Sequence, residues 1–146
     1  MQPLPRLKGP GGGNHGVRAL DDGGAGPEKL DRLDGLHRDL ERADAARRPG
    51  LMEEHNHRFH REINLAADSA KLAWSLGTAA RYVARGLYGR LPDWPGLAMR
   101  DHGRILAALR DGDASTVAER MRDHVVRVGG LLAAHLERRG MRRPAE

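Results

Sequence analysis

Residues 102–124, HGRILAALRDGDASTVAERMRDH, predict the end of one helix, a tight break and the start of another. Apolar residues recur every three or four positions before the break at Gly112, which is the spacing of an amphipathic helix. Asp113 is a good N-cap for the next helix, because its carboxylate can accept hydrogen bonds from unpaired backbone N–H groups. A helix, a short break and a second helix indicate a helical bundle.

Helical spacing of apolar residues continues through most of the chain, and alternation typical of β-strands is absent from the sequence. Leu33, Leu36 and Leu40 show the pattern in the first predicted helix. We predict an all-α fold, an antiparallel bundle of about five to six helices. The helices are expected at about residues 28–47, 52–67, 69–87, 96–110 and 113–139.

The chain of 146 residues divides by composition into three parts. Residues 1–27 are rich in glycine and proline and poor in large apolar side chains, so we predict a disordered tail. Residues 28–140 form the predicted bundle, and residues 141–146 a basic tail. No apolar run is long enough for a membrane span or a signal peptide, so we expect a soluble, cytoplasmic protein.

Charge and cysteine content narrow the classes of site. The net charge is +5, but acidic and basic residues are interspersed along the predicted helices. This pattern is typical of solvated helix surfaces rather than of a phosphate-binding stripe. Cysteine is absent, which excludes disulfides and thiolate ligands. Any metal would therefore need histidine, carboxylate or amide ligands.

Three predicted helices each direct one histidine toward the core. Asn56 and His60 lie one turn apart on the face that carries Phe59, and His102 and His124 lie on the apolar faces of two later helices. Burying several imidazoles costs free energy unless each finds a partner. A shared divalent cation, zinc or nickel by its preference for such ligands, would be one partner. Hydrogen-bonded core histidines explain the same spacing, and both interpretations stay open.

The other histidines lack this context. His55 and His57 lie off the apolar stripe of their helix, so we expect them to be solvated. His15, His37 and His135 have no neighbouring pattern that favours a ligand role.

Three motifs in order carry a resemblance to a known family. They are Asn56-His57-Arg58-Phe59-His60, then HGRILAALRDGD at residues 102–113, then AERMRDH at residues 118–124. Together they resemble the FCD domain, the effector-binding C-terminal domain of the FadR branch of GntR-type bacterial transcription regulators. The resemblance covers residues 28 to about 138.

The resemblance implies a homodimeric helical bundle that holds a divalent metal through Asn56, His60, His102 and His124. It also implies that the metal helps to bind a small organic carboxylate, and that binding alters the geometry of attached DNA-binding domains. Asn56 stands where the family often has aspartate. Arg81 and Arg85 are candidates to bind the effector carboxylate, and the alternative that both are surface arginines stays open. Family members reach DNA through a winged helix, which residues 1–27 are too short to form, so we expect a truncated or stand-alone sensor.

The function that we predict is metal-dependent sensing of an organic carboxylate, without catalysis. A metal-dependent, hydrolase-like enzyme is one alternative, since a three-histidine site could activate water. It would need a carboxylate near the metal. We expect none on the inward faces, although Glu53 and Asp123 are nearby in sequence. A metal-free helical interaction module is the other alternative.

Overall fold

The computed structural model of the chain describes residues 26–66 and 86–140. These residues form an all-α bundle and include no β-strand, as predicted. The described residues contain four α-helices: α1 Pro27–Ala45, α2 Pro49–Ala66, α3 Trp94–Arg110 and α4 Ala114–Arg138. A short 3-10 turn at Tyr88–Arg90 lies before α3. Within the described ranges, no helix has the length and apolar character to cross a membrane.

The described α-helices are fewer than the five to six predicted, because most of the helix expected at 69–87 lies outside the described residues. Only its predicted end, at about Leu87, falls among the described residues. The chain turns there at Gly86, whose φ of +85° is a conformation that suits glycine. Leu87 then leads into the 3-10 turn.

A three-residue connection joins α1 to α2. Arg47 adopts a positive φ of 52° there, and the backbone N–H of Arg48 donates to the carbonyl of Ala43. Helix α2 begins at Pro49, earlier than the predicted start near Met52. Proline suits the first position of a helix because its missing N–H would have no intrahelical partner there. The Pro49-Gly50 pair therefore starts a helix rather than forming a break.

A second short connection joins α3 to α4 as predicted. Gly112 turns the chain with a φ of +67°. The Asp113 carboxylate accepts from the backbone N–H of Thr116 at 3.0 Å and from its hydroxyl at 2.6 Å. These bonds make Asp113 the N-cap of α4, and they lower its pKa. Helix α4 then runs through Gly129-Gly130 without interruption.

The two helix pairs, α1–α2 and α3–α4, bury a common core between them. One apolar cluster draws on all four helices, and its buried members are Leu33, Phe59, Ile63, Ile105, Leu106, Ala108, Leu109 and Val117. A second cluster contains Leu40, Ala43, Met52, Leu91, Trp94 and Ala98. An ion pair between Asp34 of α1 and Arg110 of α3 adds a polar link across the pairs. This packing brings α2, α3 and α4 together around the histidines.

Candidate metal centre

The structure brings His60, His102 and His124 together from helices α2, α3 and α4. Each offers a ring nitrogen, and these three atoms all lie within 4.8 Å of one another. The Nε2 atoms of His60 and His124 are 3.2 Å apart. The ring of His102 lies edge-on to both, with centroid distances of 5.2 and 5.0 Å. Three nitrogen atoms are therefore close enough together to bind one metal ion.

Core packing holds the three imidazoles in place. His102 is fully buried, and its ring stacks on Phe59 with a centroid distance of 4.0 Å. His124 is buried on α4, whereas His60 is partly buried on α2. Phe59 precedes His60 in sequence and contacts its ring edge-on. The same aromatic side chain thus supports two of the three histidines.

Burial keeps the three histidines neutral. It lowers the pKa of His60 to about 3, with further lowering by the neighbouring His124 and His57. Burial also lowers the pKa of His102, as do the other two histidines of the cluster. The pKa of His124 is lowered by burial as well, although Asp101 partly offsets that effect. Neutral imidazoles have a free lone pair at pH 7, which is the form that binds metal ions.

Several buried polar atoms of α2 and α3 lack partners. Both ring nitrogens of His102 and the Oδ1 atom of Asn56 are buried without a hydrogen bond among the described residues. A buried polar group without a partner costs about 1–3 kcal/mol. A divalent cation would provide a partner for the nitrogen of His102 that faces the cluster, and the amide oxygen of Asn56 is a suitable additional ligand. The residues present therefore fit a metal ion.

A buried carboxylate adjoins the cluster, contrary to our expectation that the inward faces carry none. Asp101 is 2% exposed, and its Oδ2 atom lies 3.1 Å from Nδ1 of His124. Arg127 of α4 donates to both carboxylate oxygens, at 3.1 and 3.2 Å. The sequence contained a signal for this residue. Ala98, Asp101 and Ile105 occupy positions i, i+3 and i+7 of α3, and all three are buried.

His37 is also closer to the cluster than its sequence context indicated. Its ring centroid lies 6.1 Å from that of His102, and its buried Nδ1 atom has no hydrogen-bond partner among the described residues. The signal was again helical spacing, since Leu33 and Leu40, four positions before and three after it, are both buried.

The remaining histidines differ from one another. His57 is exposed, as expected. His55 is partly buried, and its Nδ1 atom is inaccessible, so the expectation of a solvated side chain is wrong for it. His135 is partly buried near the end of α4.

Glu53 is engaged in another contact, and the two candidate effector-binding arginines lie outside the described residues. The Glu53 carboxylate accepts hydrogen bonds from the backbone N–H groups of Gly86 and Gly89, each at 3.0 Å. It holds the segment after residue 85 against α2, so it is not a free base. Arg81 and Arg85 fall in the range 67–85, outside the described residues, and their effector role stays a prediction.

Comparison with known proteins gives one match, to a family model. A family model described as the FCD domain matches residues 23–127, well over half of the chain. No curated protein and no solved structure matches the chain. The family match is consistent with the all-α bundle and with the three clustered histidines. The chain belongs to the FCD domain family.

Proposed function

We propose that this chain is a metal-dependent sensing domain for a small organic carboxylate, in a GntR/FadR-type transcription regulator. FCD domains are ligand-binding regulatory domains of transcription factors, and they bind small-molecule effectors. The observation that supports a metal-dependent form is the buried cluster of His60, His102 and His124. Asn56 would be the fourth ligand, and zinc or nickel is the cation that suits such a set.

The charge of the site favours an anionic effector. Three neutral imidazoles and an amide would leave the full +2 charge of a divalent cation uncompensated. The nearby Asp101 does not change this balance, because Arg127 pairs with its carboxylate. A carboxylate ligand would supply the missing negative charge. Arg81 and Arg85 are the side chains that we propose as its further contacts.

The division of ligands among helices provides a route from binding to regulation. His60 belongs to one helix pair, and His102 and His124 belong to the other. The bound ion would link both pairs, so completion of its coordination by an effector can change how the pairs pack. We expect the domain to act as a cytoplasmic homodimer in this role.

Catalysis has less support from the geometry. Hydrolysis at a metal needs a general base near the reacting water. The buried carboxylate of Asp101 has both oxygens engaged by Arg127 and His124. Glu53 is engaged by backbone N–H groups. We therefore propose binding without turnover.

The experiment that tests the proposal begins with elemental analysis of the tag-free protein. Near-stoichiometric zinc or nickel is expected, together with a lower melting temperature after chelation. Mono-, di- and tricarboxylic acids would then be screened for thermal stabilisation of the metal-loaded and the metal-free protein. A ligand at about 100 times its Kd adds about 2.7 kcal/mol of stability. Stabilisation that is the same with and without metal would contradict the proposed site, and absence of metal uptake would favour a metal-free interaction module.

A further inference from the structure

Asp101 contacts His124, a histidine of the cluster whose two ring nitrogens both have a partner. Its Oδ2 atom lies 3.1 Å from Nδ1 of His124, and Nε2 of the same ring faces His60 at 3.2 Å. Asp101 and His124 are both buried, with exposures of 2% and 3%. Solvent therefore competes little for either ring nitrogen, and the protein groups decide which one carries the proton.

Arg127 keeps Asp101 in the form of a hydrogen-bond acceptor. It donates from Nε and Nη2 to the two carboxylate oxygens, and Arg104 lies 3.9 Å away as a weaker second cation. A charge-assisted, two-point contact of this kind is strong and directional. An ionised carboxylate has no proton to donate. The contact with His124 consequently requires the hydrogen on Nδ1 of the imidazole.

We propose that Asp101 is a positioning residue of the metal centre, fixing His124 as the Nδ1–H tautomer with its Nε2 lone pair directed into the cluster. This inference rests on the proposed metal site. Carboxylate groups that accept from the non-ligating nitrogen of a histidine orient the ring and raise its basicity as a ligand. Arg127 acts one step further out, by holding the carboxylate.

The same geometry distinguishes His124 from His60. With Nε2 of His124 unprotonated, the 3.2 Å contact in the metal-free protein requires Nε2 of His60 to donate. His60 therefore has to give up its Nε2 proton when a cation binds, whereas His124 does not. The cluster therefore contains one histidine whose tautomer already suits a metal ion and one whose tautomer must change.

Asp101→Asn is the first test, because it preserves shape but removes the negative charge and one of the two acceptor atoms. Oδ2 contacts both Nε of Arg127 and Nδ1 of His124, and Oδ1 contacts Nη2 of Arg127, so the asparagine amide N–H opposes a donor in either orientation. When its nitrogen takes the position of Oδ2, it favours the Nε2–H tautomer of His124 and directs a hydrogen toward the metal position. Long-range ¹H–¹⁵N correlation spectra of the metal-free proteins report the tautomer. We expect Nδ1–H for His124 in the wild type and a detectable Nε2–H population in the variant.

Zinc affinity, measured by competition with a chromophoric chelator, is the second readout. Loss of a carboxylate partner of this kind weakens metal binding roughly 10–100-fold, and we expect that loss in Asp101→Asn. Arg127→Gln is the second variant, because it leaves Asp101 itself unchanged, alters a side chain that is 39% exposed and keeps an amide N–H that can donate to the carboxylate. It is expected to weaken zinc binding by a smaller factor.

Asp34→Asn is the matched control. It removes another carboxylate that pairs with an arginine across helices, Arg110, without contact to the histidines. A lower melting temperature with unchanged zinc affinity is expected. If Asp101→Asn and Arg127→Gln bind zinc like the wild type, or if wild-type His124 is the Nε2–H tautomer, the inference is wrong while the proposed function stands. A wild-type protein that takes up no zinc would overturn both.

Discussion

The Nε2 atoms of His60 and His124 lie 3.2 Å apart, at the closest approach of α2 and α4 within the histidine cluster. Two neutral imidazoles at this distance can share only one proton. A cation that replaces this proton would bind both lone pairs at once. The pair therefore offers direct tests of the site.

The first prediction compares two histidines of one helix. His60→Ala removes a proposed ligand, whereas His57→Ala removes an exposed imidazole three residues earlier on α2. We expect His60→Ala to lose bound metal and the melting-temperature increase that metal provides. His57→Ala should retain both, as measured by elemental analysis and thermal unfolding. Equal metal content in the two variants would remove His60 from the site.

The second prediction concerns His102, whose two ring nitrogens are buried without partners among the described residues. His102→Leu replaces them with apolar atoms of similar volume. Replacing an unsatisfied polar group in this way is neutral or stabilising. We expect the metal-free variant to be as stable as the metal-free wild type, or about 1 kcal/mol more stable.

The same variant should gain nothing from added zinc, because a proposed ligand is missing. Chemical denaturation with and without zinc measures both effects. A large loss of stability without metal would show that His102 has a purely structural role in the core.

The third prediction is the pH dependence of the metal-free protein. Burial lowers the folded-state pKa of His60 from 6.5 to about 3, so the unfolded chain binds a proton that the folded chain refuses between these values. Stability is complete above pH 6.5 and falls as the pH decreases toward 3. The slope is about 1.4 kcal/mol per pH unit for each histidine that stays neutral in the folded state.

His102 and His124 should add to this slope, since their pKa values are lowered too. Urea titrations at a series of pH values measure the slope, and His60→Ala should reduce it. A slope that is the same in this variant would mean that His60 is protonated in the folded protein.

The fourth prediction tests the segment that Glu53 holds against α2. A Cβ atom at Gly89 would lie 2.7 Å from Cβ of Pro49, closer than the two atoms can approach. Gly89→Ala should therefore destabilise the fold by about 1–3 kcal/mol, the usual cost of overpacking.

Gly103→Ala is the control for that substitution. Gly103 lies within α3, and a Cβ atom there would meet nothing within 4 Å. Alanine has the higher helix propensity, so a gain of up to about 1 kcal/mol is expected. Denaturant midpoints of the two variants should move in opposite directions, and a shared direction would contradict the packing described.

Features that depend on local chemistry could be predicted from the sequence. The N-cap at Asp113 and the end of α3 at Arg110 follow from residues within one turn of each other. The start of α2 could not be placed correctly, because Pro49 is compatible with both a break and a first helical position. Which of the two applies depends on how the chain packs beyond it.

The candidate site, too, could be predicted from the sequence only in part. Helical spacing predicted that His60, His102 and His124 face inward, and the structure brings them together. Asp101 was missed, because a carboxylate on an apolar face can be buried only if a partner on another helix compensates its charge. Its spacing on α3 indicated an inward position, but its partner Arg127 lies 26 positions away on α4, and a pattern within one helix does not identify such a partner.

The cluster takes one imidazole from the pair α1–α2 and two from the pair α3–α4, and 64 positions separate His60 from His124. With the side-chain rotamers held by the packing, a change in the distance between the nitrogen of His60 and the other two therefore displaces one helix pair against the other. In the proposed function, a chemical event at one atom would thereby move whole helices, which is the scale of movement that a neighbouring domain can detect.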